Sequence, residues 1–328
     1  MTLPRSFFLA AAFTLPLSII ACGSDDKGTT PPDTSVVTPD GTHYQYVVSK
    51  LEVPVTAKQK TDFGLDLGGT RSSTPDGTVD NTLGDLLAAL AFAQFPLQAP
   101  VDDSVNQGLI ILLADLQTTS FTSAAAAGLS VKFGADPQPP ACTDATDTAC
   151  GHHLQGNASF SIASSSPTSS TVTGAIAGGT LSAGPGNLSI QIALGTTSPI
   201  TLNLVNARVK ATAISEAGMT AVIGGELLET ELQTNVFPAV TAQIAAILTR
   251  DCTGTAPNCT CTSTGKTLID FLDKTPKDCV ISESEVEHGP LGGFLLPDVC
   301  SQPTCAANMT DALSLGVKVT AVKATFPQ

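Results

Sequence analysis

The chain has no tryptophan and only two tyrosines, Tyr44 and Tyr46, among 328 residues. Aromatic platforms for stacking sugars or bases are therefore scarce. Charged side chains make up 13%, about half the ~25% of an average globular protein. Basic residues are the scarcer sign: 15 Lys and Arg against 29 Asp and Glu leave a formal charge of −14 at pH 7. That balance excludes nucleic acid and anionic headgroups as electrostatic partners, and favours cations or plain solubility. Complete catalytic signatures are missing as well: there is no G-x-S-x-G, no H-E-x-x-H and no full P-loop. Ser263 and Lys266 satisfy S-x-x-K only formally, and the simpler reading starts a helix at Thr267.

What fills the chain instead is Thr, Ser, Ala and Gly, with 28 Gly and 22 Pro. Such small and β-favouring residues read as a β-rich exported protein. The start of the chain agrees. After MTLPRS comes FFLAAAFTLPLSIIA, a length that suits the apolar part of a secretory signal and is short for a membrane span. The run ends in Ile19-Ile20-Ala21-Cys22. These four positions resemble the bacterial lipobox: aliphatic at −3, tolerant at −2, small at −1, then cysteine. The resemblance identifies a bacterial lipoprotein, and implies that residues 1–21 are removed and that Cys22 carries a diacylglyceryl group and a further acyl chain. At ~0.8 kcal/mol per buried CH₂ such an anchor is effectively permanent. Gly23 in place of the inner-membrane Asp implies an outer-membrane address, and Asp25-Asp26 resemble acidic signals for surface export. The plainer alternative is an ordinary signal peptide, with Cys22 a free thiol.

Nine cysteines minus Cys22 leave an even eight, and in an oxidising compartment disulfides are the expectation. Cys142 and Cys150 form one close couple, and Cys300 and Cys305 another. Cys252, Cys259, Cys261 and Cys279 share one stretch and are expected to pair among themselves. A zinc site at Cys259-Thr-Cys261 has the wrong spacing.

Residues 22–42 lack apolar periodicity and read as a disordered tether; a single folded domain is expected over 43–328. YQYVVSKLEVPVT alternates as a strand, and Leu83, Leu86, Leu87 and Leu90 fall at helical spacing behind Asn81 or Thr82 as cap. GLIILLADLQ, GLSVKFGA and HLQGNASFSIA read as further strands. From Thr171 to Gly225 the pattern is strand–turn–strand, with turns at Gly-Gly, Gly-Pro-Gly and Glu-Ala-Gly. Helices are expected around Pro238, over KTLIDFLDK, and behind a capping box at Ser282-x-x-Glu285. The closing ALSLGVKVTAVKATF alternates strictly, as a strand returning to the sheet. The expected fold is α+β, mainly β: an antiparallel β-sandwich-like domain with a disulfide-tied helical insertion at about 226–299.

Candidate sites are few. Asp66, Asp76, Asp80 and Asn81, in a Gly-rich loop that also holds Asp62, gather oxygen donors that would suit Ca²⁺, the one cofactor in view. A turn at Thr-Pro-Asp-Gly explains the same residues without metal. LDKTPKDCVISESE has acids at Asp273, Asp278 and Glu285 and looks like a degenerate EF-hand loop. With LLPDV and the closing strand, it resembles a group of uncharacterised secreted lipoproteins. His152-His153 suit either a metal or an exposed loop, and Glu283, Glu285 and Glu287 either a hydrolase or a helix start. The leading expectation is a non-enzymatic lipoprotein, membrane-attached through its lipid, that meets an envelope protein or glycan. The alternatives are an envelope polysaccharide or peptide hydrolase and a carrier of an apolar ligand between sheet and helices.

Overall fold

The structure, a computed structural model, describes residues 38–92, 97–142, 147, 150–193, 199–254, 256–274, 277–290, 292–306 and 309–328. The signal, Cys22 and most of the tether lie outside these residues.

Eight strands form a closed antiparallel ring. They are β1 (Thr42–Glu52), β2 (Leu112–Thr118), β3 (Ser123–Gln138), β5 (Thr171–Ala177), β6 (Thr180–Ile192), β7 (Ile200–Ser215), β8 (Gly218–Leu228) and β11 (Ala312–Thr325). Each pairs with the next, and β11 pairs back onto β1. Val47 marks the closure, standing opposite Leu113 of β2 on one side and Val322 of β11 on the other. The architecture is therefore a β-barrel, which corrects the expected sandwich. Alternating strands fit either fold; what bends these into a ring is a set of bulges. Gly184-Pro185-Gly186, expected as a turn, lies within β6 as such a bulge. The register against β7 shifts between Ala183 and Gly186 and again before Leu188, with Gly184 at φ 112°. Pro is tolerated there because a bulge needs no ladder donor. Gly178-Gly179 does make a turn: both residues have positive φ, as a tight hairpin of the primed type requires.

The two ends of the barrel differ. Short hairpins join β2 to β3, β5 to β6 and β7 to β8 at one end. At the other, β1 leads into α1 (Ala57–Phe63), α2 (Thr82–Phe92) and α3 (Gln98–Asn106). There too β8 leads into α4 (Glu229–Glu231), which runs through a π-helical turn (Leu232–Val236) into α5 (Phe237–Asp251). The small hairpin of β9 (Cys252–Thr253) and β10 (Thr260–Cys261) follows, then α6 (Ser263–Leu272) and α7 (Glu283–His288). Pro238 sits in the first turn of α5, where its missing N–H costs nothing. α6 starts at Ser263 rather than Thr267. α7 opens on the capping box: Glu285 N donates to Ser282 Oγ (3.3 Å) and Ser282 N to Glu285 Oε2 (2.9 Å).

Inside the ring, Leu181, Leu188, Ile190 and Leu202 are fully buried, interleaved with small Ala183, Ala207 and Ala221. This mix fills a barrel of eight strands. Strand β4 (Ala158–Ile162) lies between β3 and β11 outside the ring and covers a second apolar cluster of Val47, Ile111, Leu113, Phe160 and Phe326. Among the described residues no helix is long and apolar enough to cross a membrane.

Candidate functional site

The hairpin end is sealed. Tyr46 is fully buried and its hydroxyl donates to Ser215 O at 2.8 Å. Burial pushes its phenol pKa up. Beside it Tyr44 and Phe121 bring their rings to 4.4 Å. Both tyrosines of the chain thus close one mouth of the barrel.

The helical end holds a cavity of about 60 Å³, open in part to solvent. Its floor is the barrel rim: Ile192 of β6, Ile200 and Leu202 of β7, and Leu315 of β11. One wall is the leucine stripe of α2, Leu83, Leu86, Leu87 and Leu90, whose spacing puts all four on one face. Another wall is formed by Val236 of the π-helical turn and the α5 stripe of Phe237, Val240, Gln243 and Ile244. Leu268 of α6, Val286 of α7 and Leu295 complete the roof. Among the described lining residues Gln243 is the one polar side chain. It is 9% exposed, and its Oε1 is buried with no hydrogen-bond partner. An orphan acceptor of this kind costs roughly 1–3 kcal/mol. Sequence reasoning took α5 for a helix and passed over Gln243. The available signal was its position, three residues after Val240, on the apolar stripe itself.

Disulfides hold the roof. Cys252 bonds Cys261 and Cys259 bonds Cys279, so the segment between α5 and α6 is tied to the loop before α7. Asp251 Oδ2 accepts from Gly265 N (2.9 Å), which fixes the end of α5 to the start of α6. Cys142–Cys150 and Cys300–Cys305 are bonded elsewhere.

The acidic loop lies apart from the cavity lining. Asp66 accepts from Asp76 N (3.0 Å) and Gly77 N (2.7 Å), Asp76 from Thr78 N (2.9 Å), and Asp80 from Leu67 N (2.8 Å). Asp62 pairs with Lys58. Burial, reinforced by Asp298, Asp76 and Asp66 and opposed by the Leu67 amide, raises the Asp80 pKa to about 6. Asn81 is buried: its Oδ1 accepts from Gly84 N and Gly316 N, while its Nδ2 donates to Lys60 O and Gly316 O. It thus caps α2 and clamps that helix to β11. In the EF-hand-like segment, Asp273 accepts from Asp278 N and Cys279 N, and Glu285 caps α7. Among the described residues no group of three or more His, Cys, Asp or Glu is placed to hold a metal ion.

The histidines need one correction. His152 is exposed, but His153, expected in an exposed loop, is fully buried with its ring edge towards Phe160, and burial lowers its pKa. Two buried polar groups were not legible beforehand. Asp115, 7% exposed, pairs with His43 at 2.9 Å. Glu226 has one oxygen bonded by Asn206 Nδ2 (2.9 Å) and the other unpartnered. Burial raises its pKa to about 7, with the Asn206 bond opposing and Asp311 adding to the rise. Searches against protein-family models, curated proteins and solved structures find no match to this chain.

Proposed function

We propose that the folded body binds a single apolar molecule between the barrel rim and the helices, and presents it at the cell envelope from a lipid anchor on Cys22. The observation that carries the reading is the apolar cavity, with Gln243 the one polar residue among its described lining. A filled barrel core needs no such space, and ligand sites are concave, mostly apolar and furnished with few polar groups. The disulfide-held roof supports the same reading, since a preformed site loses less entropy on binding. The anchor rests on the lipobox resemblance, and intact-mass analysis of native material should find acyl groups on Cys22.

The binding test uses the chain carrying Cys22→Ser, which avoids both the acyl groups and detergent. Titration with the neutral fluorophore N-phenylnaphthylamine should give saturable, one-site binding. Leu86→Trp, which fills the space between α2 and α5, should abolish it without unfolding the barrel. Linear, unsaturable fluorescence, or unchanged binding in the Trp variant, would count against the cavity as the site.

A further inference from the structure

We infer that the ligand is an uncharged amphiphile with a hydroxyl group that bonds Gln243, as in a long-chain alcohol or a monoacyl glyceride. This rests on the binding reading above and narrows it to a ligand class.

Three observations converge. The described lining residues include no charged side chain, so an anionic headgroup meeting them would find no cation. Burying an ion without a partner is strongly unfavourable, so carboxylates and phosphates are disfavoured as the buried end. Gln243 sits among Val236, Phe237, Val240 and Ile244, its side chain more than nine-tenths buried and its Oε1 unpartnered. An amide in such a place favours a ligand that supplies the missing partner over one that leaves it orphaned. A hydroxyl donates to a carbonyl oxygen and accepts from an amide NH₂, so it serves either end of the side chain. A bare hydrocarbon serves neither. α5 delivers Gln243 to the cavity lining because residues three and four apart share one helix face; Oε1 itself is covered, so bonding a ligand hydroxyl takes a turn about the soft terminal torsion of the side chain.

The test is competition against bound N-phenylnaphthylamine on the Cys22→Ser chain at neutral pH, with decanol, decane and decanoate as probes. Decanol should displace the fluorophore at about one-tenth the concentration that decane or decanoate requires. In Gln243→Leu the advantage of decanol should fall to within about twofold of decane, while fluorophore binding persists. Gln243→Met, close in shape, should behave like the Leu variant and guards against a packing fault. Equal displacement by decanol and decane in the wild-type background, with the fluorophore bound normally, would overturn the assignment to Gln243 alone. So would a decanol preference that survives both substitutions. Failure of the fluorophore to bind at all would overturn the cavity reading together with this one.

Discussion

At the hairpin end of the barrel, Tyr46 fills the mouth and hands its hydroxyl to Ser215 O, so polar and apolar atoms alike are satisfied. At the helical end, leucines and isoleucines from six elements meet without filling the space, and Gln243 Oε1 has no partner. The same barrel thus carries one end packed for stability and one end left open in volume and in hydrogen bonding. The hairpin end is built from short turns, two residues between β5 and β6 and between β7 and β8 and four between β2 and β3. The helical end is built from long insertions whose shape must be fixed by other means, here disulfides and caps. A binding site at that end needs no change in the barrel.

The contrast is broken most directly by comparing the same truncation in packed and open surroundings. Leu188→Ala, inside the ring where the side chain is 1% exposed, should cost about 4 kcal/mol of unfolding free energy. Leu86→Ala, on the cavity wall, should cost about 2 kcal/mol, because the lost side chain already lacked neighbours on one side. Chemical denaturation of both variants measures the pair. Equal losses would mean that the helical end is packed as tightly as the barrel.

Next in size is the roof. Joining Cys259 to Cys279 closes a loop of sequence separation 20, so Cys259→Ser with Cys279→Ser should cost about 3 kcal/mol. The same variant should weaken fluorophore binding several-fold. The Cys300→Ser with Cys305→Ser variant closes a loop of only 5 and lies away from the cavity, so it should lower stability less and leave binding alone.

A third test uses charge. Glu226 stands on β8 near the helical end, fully buried, with its pKa raised from 4.5 to about 7 by burial. A carboxyl whose folded pKa exceeds its unfolded one favours the folded state while neutral. That contribution is complete below about pH 4.5 and is lost as pH rises through about 7. At 1.36 kcal/mol per pKa unit the loss is about 3 kcal/mol. Asp80, raised to about 6, acts with the same sign at lower pH. Denaturation curves for wild type and Glu226→Gln between pH 4 and pH 8 should therefore diverge, with wild type falling relative to the variant as pH rises. Parallel curves would mean that Glu226 is solvated.

Much of this was legible in the chain. The α2 leucines, the capping box at Ser282 and the alternating strands from Thr171 onward announce themselves through local periodicity and hydrogen-bonding chemistry. Closure was not legible, because it depends on β1 meeting β11 across the whole sequence, and strand alternation is the same in a sandwich and a barrel. Gly184-Pro185-Gly186 misled for a related reason: the residues that make a turn also make the bulge that curves a long strand. The short helices α1 and α3 were missed, since seven and nine residues give too few turns for a period to show. Asp66, Asp76 and Asp80 were visible as oxygen-rich, but their engagement by backbone amides follows from how the loop folds back on itself. The cavity lay beyond reach, because it is set by how far the helices stand from the barrel rim.

The smallest expected effect is also the one that separates a site from a packing flaw. Replacing Gln243 by Leu removes a buried oxygen without a partner and keeps the side-chain bulk. Without ligand, the variant should gain about 1 kcal/mol, the low end of the penalty for such an orphan. In a chain of this size that is about 2 °C in Tm. The gain should vanish, or reverse, when decanol is added, because the wild type then acquires the missing hydrogen bond and, binding decanol more tightly than the variant does, the larger stabilisation from bound ligand. A variant more stable than wild type both with and without decanol would show that Gln243 is tolerated rather than used. A variant less stable in both would show that the amide already has a partner in the folded chain, and the open hydrogen bond that distinguishes this end of the barrel would be gone.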